Sequence, residues 1–280
     1  MSNLYAVFGN PVGHSKSPLI HSEFARQTGQ DLEYVAIEAP LDGVAACVNA
    51  FRARGGKGAN VTAPFKLEAF SLATRRSSRA EQAEAANALK FEGDEIVAEN
   101  FDGVGLVRDI QHNLGFSLRG RQVLMLGAGG AARGATVPIL QAEPAQLTIV
   151  NRTIPKADVL RERFSSVGNI ASGGYALISD GFAHYGPGQF DIIINATSAS
   201  LRGELPPITN ALFRGVERAY ELAYGQGLTP FLRLAKESGV DRLTDGVGML
   251  VEQAAEAFEW WHGVRPATCP MIKKITVPLA

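Results

Sequence analysis

Residues 58–66, GANVTAPFK, place an amide, a hydroxyl and an amine (Asn60, Thr62, Lys66) at the end of an apolar run and in the turn that Pro64 begins. Amides and hydroxyls both donate and accept hydrogen bonds, which suits a polyol, and a sheltered amine can hold and pass a proton. A lone lysine at a strand end is ordinarily a solvated charge, so Lys66 needs partners before it implies chemistry. A second stretch, Gly127-Ala128-Gly129-Gly130-Ala131-Ala132, fits the pattern GxGxx[GA]. Gly127 permits a tight turn, Gly129 lets a pyrophosphate approach the backbone, and Ala132 lets helix and strand pack closely. The helix that follows offers unpaired N–H groups to phosphates. At the end of the next strand, where NAD-preferring domains usually carry an acidic residue, stand Asn151, Arg152 and Thr153, with Lys156 one turn on. A guanidinium, a hydroxyl and an amine hold a 2′-phosphate that a carboxylate would repel. Asp158 lies too far along the helix for the acidic role. The expected cofactor is NADP rather than NAD.

These groups are positioned by short apolar runs alternating with helix-period stretches, the pattern of an α/β protein. Strands are expected at 4–9, 33–39 and 58–63, with helices at 17–29 and 42–55 and helical chain again after Pro64. Pro18 near the start and Gly29 at the end of the first helix follow the usual asymmetry. Residues 75–83, rich in arginine, read as a polar helix or turn with a solvated face. Residues 87–100 read as a hairpin turning at Gly93-Asp94, followed by a helix from about 103 to 113 and a linker at 117–122. Strand 122–127 feeds the glycine turn and a helix to about residue 140. Further strands are expected at 146–152, 191–197 and 218–224, then helices at 246–262 and 270–275. The fold class is therefore α/β in two units: 1–102, to which 241–280 returns, and 103–240, which carries the nucleotide turn.

The chain has 280 residues, 20% charged and 46% hydrophobic, with a net charge of −1, the balance of an ordinary globular protein. Without a basic excess it is not expected to bind nucleic acid or a membrane surface. Cys47 and Cys269 lack CxxC spacing and read as reduced, partly buried thiols; no metal site is expected. No basic-then-apolar leader opens the sequence, and no apolar run reaches the roughly 20 residues of a membrane span. The expected location is the cytoplasm.

Taken together, GNPVGHSKSP (9–18), GANVTAPFK, Asn87 in AANAL, Asp102 in ENFDG, GAGGAARG, NRT, NATS (195–198), GLTPFL (227–232) and GVGMLVEQAAEAFEWWHG (246–263) resemble the shikimate dehydrogenase family over essentially the whole length. The resemblance implies an N-terminal α/β substrate domain, a Rossmann-type NADP-binding domain and C-terminal helices packing back on the first. It implies reversible oxidation of a ring alcohol on a small carbocyclic acid. Lys66 and Asp102 would handle the hydroxyl proton. Ser15 and Ser17 would bind the substrate carboxylate, and Asn60, Thr62, Asn87 and Gln253 the ring hydroxyls, with Tyr224 also touching substrate. Beside the dinucleotide held by Gly127, Ala128, Gly129, Gly130, Ala131, Asn151, Arg152, Thr153 and Lys156, the nicotinamide would meet Thr197, Ser198, Leu222 and Gly246. His14 reads as a loop-stabilising residue, and Met249, Trp260 and Trp261 as packing residues. A monomer and a homodimer both fit.

Several positions depart from the family pattern. Phe101 stands for the usual threonine before Asp102, and Ala88 for the threonine after Asn87. Tyr220-Glu221-Leu222 replaces YDM, and Lys156 replaces an arginine. If Phe101 faces the pocket, a substrate hydroxyl loses a partner. That opens an alternative: a paralogue acting on quinate or an aminated ring analogue. A non-catalytic NADP-binding regulator is a further reading, since fold alone never fixes function. A folate-type dehydrogenase with a cleft lysine fits less well, because GHSKSP suits a small carboxylate better than a pterin.

Overall fold

The computed structural model describes residues 2–178, 188–225 and 227–279. The chain divides into two compact units: Met1–Gly105 with Leu250–Lys273, and Leu106–Met249 with Lys274–Ala280.

The first unit runs β1 (Asn3–Gly9), α1 (Ser17–Thr28), β2 (Leu32–Glu38), α2 (Val44–Ala53), β3 (Gly56–Val61), α3 (Lys66–Leu72), β4 (Arg75–Arg76), α4 (Ser78–Ala83), β5 (Ala88–Glu92), β6 (Glu95–Glu99) and the start of α5 (Asp102–Arg108). Its sheet has the order β2-β1-β3-β5-β6-β4. β1 pairs in parallel with β2 and β3, and β5 runs antiparallel to β3 and β6. Glu92 pairs with Glu95 across the expected Gly93-Asp94 turn. The stretch read as one polar helix or turn holds both the short β4 and α4. Along β1 side chains alternate: Ala6 and Phe8 join Phe51, Phe65 and Leu89 on one face, while Tyr5 and Val7 join Val12 and Tyr34 on the other. Both faces are covered, so the strand reads as an unbroken apolar run. α1 buries Ser17, Ile20, His21, Phe24 and Ala25, the spacing of one helical face.

The second unit continues α5 into a π-helical turn, Asp109–Asn113, and then runs β7 (Gln122–Leu126), α6 (Gly130–Gln141), β8 (Gln146–Val150), α7 (Ile154–Phe164), β9 (Ile170–Gly173), β10 (Ile192–Asn195), β11 (Arg218–Glu221), α8 (Pro230–Glu237), β12 (Arg242–Thr244) and the start of α9 (Val247–His262). A last helix, α10 (Cys269–Ile275), follows. The parallel sheet has the order β12-β11-β10-β7-β8-β9. Counted within the unit and read from its β9 edge, this is the 3-2-1-4-5-6 order of a Rossmann domain, with its switch point between β7 and β10.

Three strands escape the periodicity reading: β4, β9 and β12 are only two to four residues long, too short for alternation to register. Of the segment 241–280 expected to return to the first unit, only Leu250–Lys273 clusters there. β12 pairs with β11, and Leu279 packs on the second unit's core, which keeps both ends of the segment in that unit. Neither cysteine is in a disulfide; Cys269 is exposed rather than partly buried. Among the described residues no helix is long and apolar enough to cross a membrane.

Two buried polar groups fix these units. In the second, the Asp109 carboxylate accepts hydrogen bonds from Tyr220 Oη at 2.7 Å and Asn113 Nδ2 at 2.9 Å. A Cβ added at Gly248 would lie 1.9 Å from Asp109 Oδ1. In the first, His21 is fully buried, and burial pushes its imidazole down to about 3, with the Asn60 side chain opposing the shift and His262 adding to it. Gly248→Ala should cost about 1–3 kcal/mol, since a rigid buried carboxylate must move; equilibrium urea unfolding that matches wild type would contradict this contact. For His21 the unfolded chain takes up a proton near pH 6.5 while the folded chain resists until about 3. Its stabilisation is therefore complete above pH 6.5 and declines as pH falls toward 3, with a limiting slope of about 1.4 kcal/mol per pH unit. Between pH 7 and pH 5 wild type should lose about 1–2 kcal/mol that His21→Phe retains. Equal losses in the two proteins would show that His21 is not held neutral.

Candidate active site

In the first unit hydrogen bonds join five of the polar side chains singled out from the sequence: Lys66, Asp102, Asn87, Gln253 and Asn60. Lys66 opens α3 and Asp102 opens α5. Lys66 Nζ donates to Asp102 Oδ2 at 2.6 Å, with the lysine side chain 30% and the aspartate side chain 9% exposed. The other oxygen, Oδ1, accepts from Asn87 Nδ2 at 2.9 Å. Asn87 Nδ2 also donates to Gln253 Oε1 at 3.1 Å, and its Oδ1 accepts from the Phe101 amide at 2.9 Å. Both N–H bonds of the Asn87 amide are thus directed at protein acceptors. Gln253 is fixed in turn, its Nε2 donating to Leu250 O at 2.9 Å. Asn100 Oδ1 accepts from the Asp102 amide at 3.1 Å, and Asn100 Nδ2 donates to Ala85 O at 3.0 Å.

Asn60 lies one strand over. Its Oδ1 accepts from Tyr34 Oη at 2.7 Å and its Nδ2 donates to Asn87 O at 3.2 Å. Thr62 follows β3, its amide bonded to Phe8 O at 2.9 Å, and is half-buried. The loop after β1 is held by Asn10 Nδ2, which donates to Ala39 O at 2.8 Å, and by the Val12 amide, which donates to Glu38 Oε2 at 3.2 Å. On that loop Ser15 Oγ accepts from the Ser17 amide at 3.3 Å, Ser17 is buried, and His14 is exposed.

Phe101 is packed into the first unit's interior. Its ring is buried with Ala88 and Ala257 and meets Trp260 edge-on at 5.8 Å. The two departures from the family pattern are one packing solution: a large ring occupies space left by a small neighbour. This removes the sequence-based ground for a substrate hydroxyl losing its partner to Phe101.

In the second unit the remaining candidates follow the carboxyl ends of the parallel strands. Gly127 has φ +107°, and a Cβ there would sit 3.0 Å from Ala196 O. Ala128 is buried, whereas Gly129 and Gly130 have nothing within 4 Å of where a Cβ would be. Ala131 lies in the first turn of α6, which has no side-chain cap and no acidic residue in that turn. Open space above unpaired helix N–H groups fits the phosphates of a dinucleotide. After β8, Asn151 Nδ2 donates to Thr153 O at 2.8 Å, and the Thr153 hydroxyl makes no cap bond to α7; Arg152, Thr153 and Lys156 are exposed. Asp158 is turned to β9, where its Oδ1 accepts from Ser172 Oγ at 2.6 Å. No acidic group therefore joins Arg152 and Lys156 from that position.

After β10, Asn195 Oδ1 accepts from the Thr197 amide at 3.1 Å and from Thr197 Oγ1 at 2.7 Å. Asn195 Nδ2 donates to Glu221 Oε2 at 2.9 Å. That oxygen also accepts from Ser200 Oγ and from Thr229 Oγ1, while the Ala223 amide donates to Oε1. Burial pushes the Glu221 carboxyl up, opposed by these four donors. Sequence reading noted Glu221 only as a departure from the family pattern; the strand it ends, Arg218–Glu221, is half charged and carried no local signal of a buried carboxylate. Ser198 is exposed and accepts from Arg202 at 2.9 Å. Leu222 is half-buried against the core, and a Cβ on Gly246 would come 2.1 Å from Leu222 O. Tyr224 lies in the second unit, half-buried, with its phenol pushed up by burial. Met249 packs in the core of this unit.

A family model for the shikimate dehydrogenase substrate-binding domain matches residues 7–89, one for shikimate/quinate 5-dehydrogenase matches 109–202, and one for the shikimate 5′-dehydrogenase C-terminal domain matches 246–275. The chain is 56% identical over 272 residues to a shikimate dehydrogenase (NADP(+)) from Nitrosospira multiformis, covering 97% of this chain and 96% of that protein. A crystal structure of an Ael1 enzyme from Pseudomonas putida is 57% identical, covers 100% of both chains and superposes with a TM-score of 0.94. The shikimate 5-dehydrogenase from Thermus thermophilus, solved in complex with NADP(H) and shikimate, is 28% identical, covers 97% of both chains and has a TM-score of 0.84. Motifs, fold and whole-length similarity agree, and the chain belongs to the shikimate dehydrogenase family.

Proposed function

We propose that this chain catalyses the reversible, NADP-dependent reduction of 3-dehydroshikimate to shikimate, as a cytoplasmic enzyme of aromatic precursor synthesis. The observation that carries this reading is the 2.6 Å Lys66–Asp102 ion pair at the starts of two helices in the substrate unit. It stands beside relatives named as NADP(+)-dependent shikimate dehydrogenases. The dinucleotide, when bound, supplies or takes the hydride at the ring carbon. Lys66 exchanges the proton on the ring oxygen, and Asp102 orients the amine and shares its charge. Asn87 and Gln253 hold Asp102 in place and offer their remaining acceptor sites to the ring. Ser15 and Ser17 supply hydroxyl donors for the ring carboxylate, Asn60 and Thr62 take ring hydroxyls, and Tyr224 is a further substrate contact. Gly127, Ala128, Gly129, Gly130 and Ala131 hold the pyrophosphate. Asn151, Arg152, Thr153 and Lys156 hold the 2′-phosphate. Thr197, Ser198, Leu222 and Gly246 shape the nicotinamide site.

A panel of shikimate and quinate against NADP and NAD should give the highest kcat/KM for shikimate with NADP. A preference for quinate, or for NAD, would refute the substrate or the cofactor assignment respectively. Lys66→Ala should lower kcat by about 10²–10⁴-fold while changing the KM for shikimate far less. Steady-state turnover equal to wild type would remove Lys66 from the proton transfer.

A further inference from the structure

We propose that Tyr34 is a positioning residue for the ring-acid site: its phenol holds Oδ1 of Asn60 on β3 and so fixes which end of the Asn60 amide is offered to the substrate. This rests on the function proposed above. Neither the family motifs nor the sequence reading points to Tyr34.

Tyr34 sits on β2, the edge strand of the first sheet, in register with Tyr5 on β1. Its hydroxyl reaches Asn60 Oδ1 on β3 at 2.7 Å and is buried. Burial pushes the phenol well above its ordinary range, against the Ser17 hydroxyl and the Asn60 backbone amide that face its oxygen. The phenol therefore keeps its one proton, and that proton goes to Asn60 Oδ1. With the amide oxygen engaged there and Nδ2 bonded to Asn87 O at 3.2 Å, Asn60 has one N–H left to give. An amide free to flip could exchange its donor and acceptor ends; with Oδ1 held by Tyr34 and Nδ2 by Asn87 O this one cannot, so its uncommitted N–H keeps a fixed direction. The ring itself is clamped. His21 stacks on Tyr34 with centroids 4.3 Å apart and planes 4° apart, and Trp261 and Phe258 flank the histidine. Neither His21 nitrogen makes a well-formed hydrogen bond, the Asn60 side chain being the polar group that faces it. The histidine therefore acts as an apolar plate that sets the plane of the phenol.

The test is Tyr34→Phe, which keeps the ring and its stack and removes only the hydroxyl. The KM for shikimate should rise about 5- to 10-fold, the worth of one neutral hydrogen bond, with the KM for NADP unchanged. Adding Tyr34→Phe to Asn60→Ala should raise the shikimate KM little further, because the two act through one contact. An unchanged shikimate KM, an equal rise in both KM values, or full additivity would overturn the proposal. Should Tyr34→Phe fold poorly, Asn60→Asp decides. It keeps an acceptor for Tyr34 and loses both N–H groups, the one on Asn87 O and the one proposed for the substrate, so shikimate binding, read by the shift in Tm on adding shikimate, should weaken. Retained binding would mean that Asn60 offers its oxygen and that Tyr34 does not set its orientation. Wild type that neither binds nor turns over shikimate would overturn both the function and this role, whereas normal wild-type kinetics with an insensitive variant would overturn this role alone.

Discussion

A carboxylate taken out of water must be met by donors, and this chain buries several. The cost of leaving such a group uncompensated is several kcal/mol, enough to erase most of a domain's stability. Asp102 is met by an ammonium and an amide, Glu221 by two hydroxyls, an amide side chain and a backbone N–H, and Asp109 by a phenol and an amide. Glu99, also buried, takes Ser77, Arg79 and the Asn100 amide. Each carboxylate therefore pins residues distant in sequence and sets the ends of the elements that carry them. Asp102 and Lys66 begin two helices, and Asn87 enters β5. Glu221 ties the ends of β10 and β11 to the cap of α8.

What the sequence made legible follows from which forces are local. The β-hairpin turning at Gly93-Asp94 and the α1 face, with His21 and Phe24 spaced as one stripe, are written in short-range pattern. The glycine turn is legible because Gly127 must adopt φ +107° and sit against Ala196, a demand that few residues meet. The strand β9, four residues long, has no such signature: Ile170 is its one large apolar residue, and its place comes from pairing with β8. The same holds for β12, which exists because β11 needs a partner.

The candidate site divides in the same way. The resemblance to the family pointed to the chemistry of Lys66 and Asp102, but the directions of the amides could not be read. Asn87 looks in sequence like a ligand for hydroxyls; in three dimensions both its N–H bonds point at Asp102 and Gln253. Phe101 looked like a change to the pocket, yet its ring fills space beside Ala88. Pairwise compensation of volume is a property of contacts that folding makes between separate segments, and the sequence alone does not show which segments meet.

The choice of neutral amides around Asp102 has a further consequence. The ion pair with Lys66 has no net charge, and Asn87 and Gln253 add none. A second cation beside Asp102 would compete with Lys66 for the carboxylate and weaken its hold on the amine. A second carboxylate would compete with Asp102 for the ammonium and leave one anion underpaired in a partly dry site. Amides can complete the hydrogen bonding of Asp102 without tilting that balance, at the cost of having their own orientation fixed by someone else. Asn87 is fixed by the Phe101 amide, Gln253 by Leu250 O, and Asn60 by Tyr34. The ring acid's own negative charge then has to be met away from this pair, which is why hydroxyls at a helix start, Ser15 and Ser17, are the groups proposed for it.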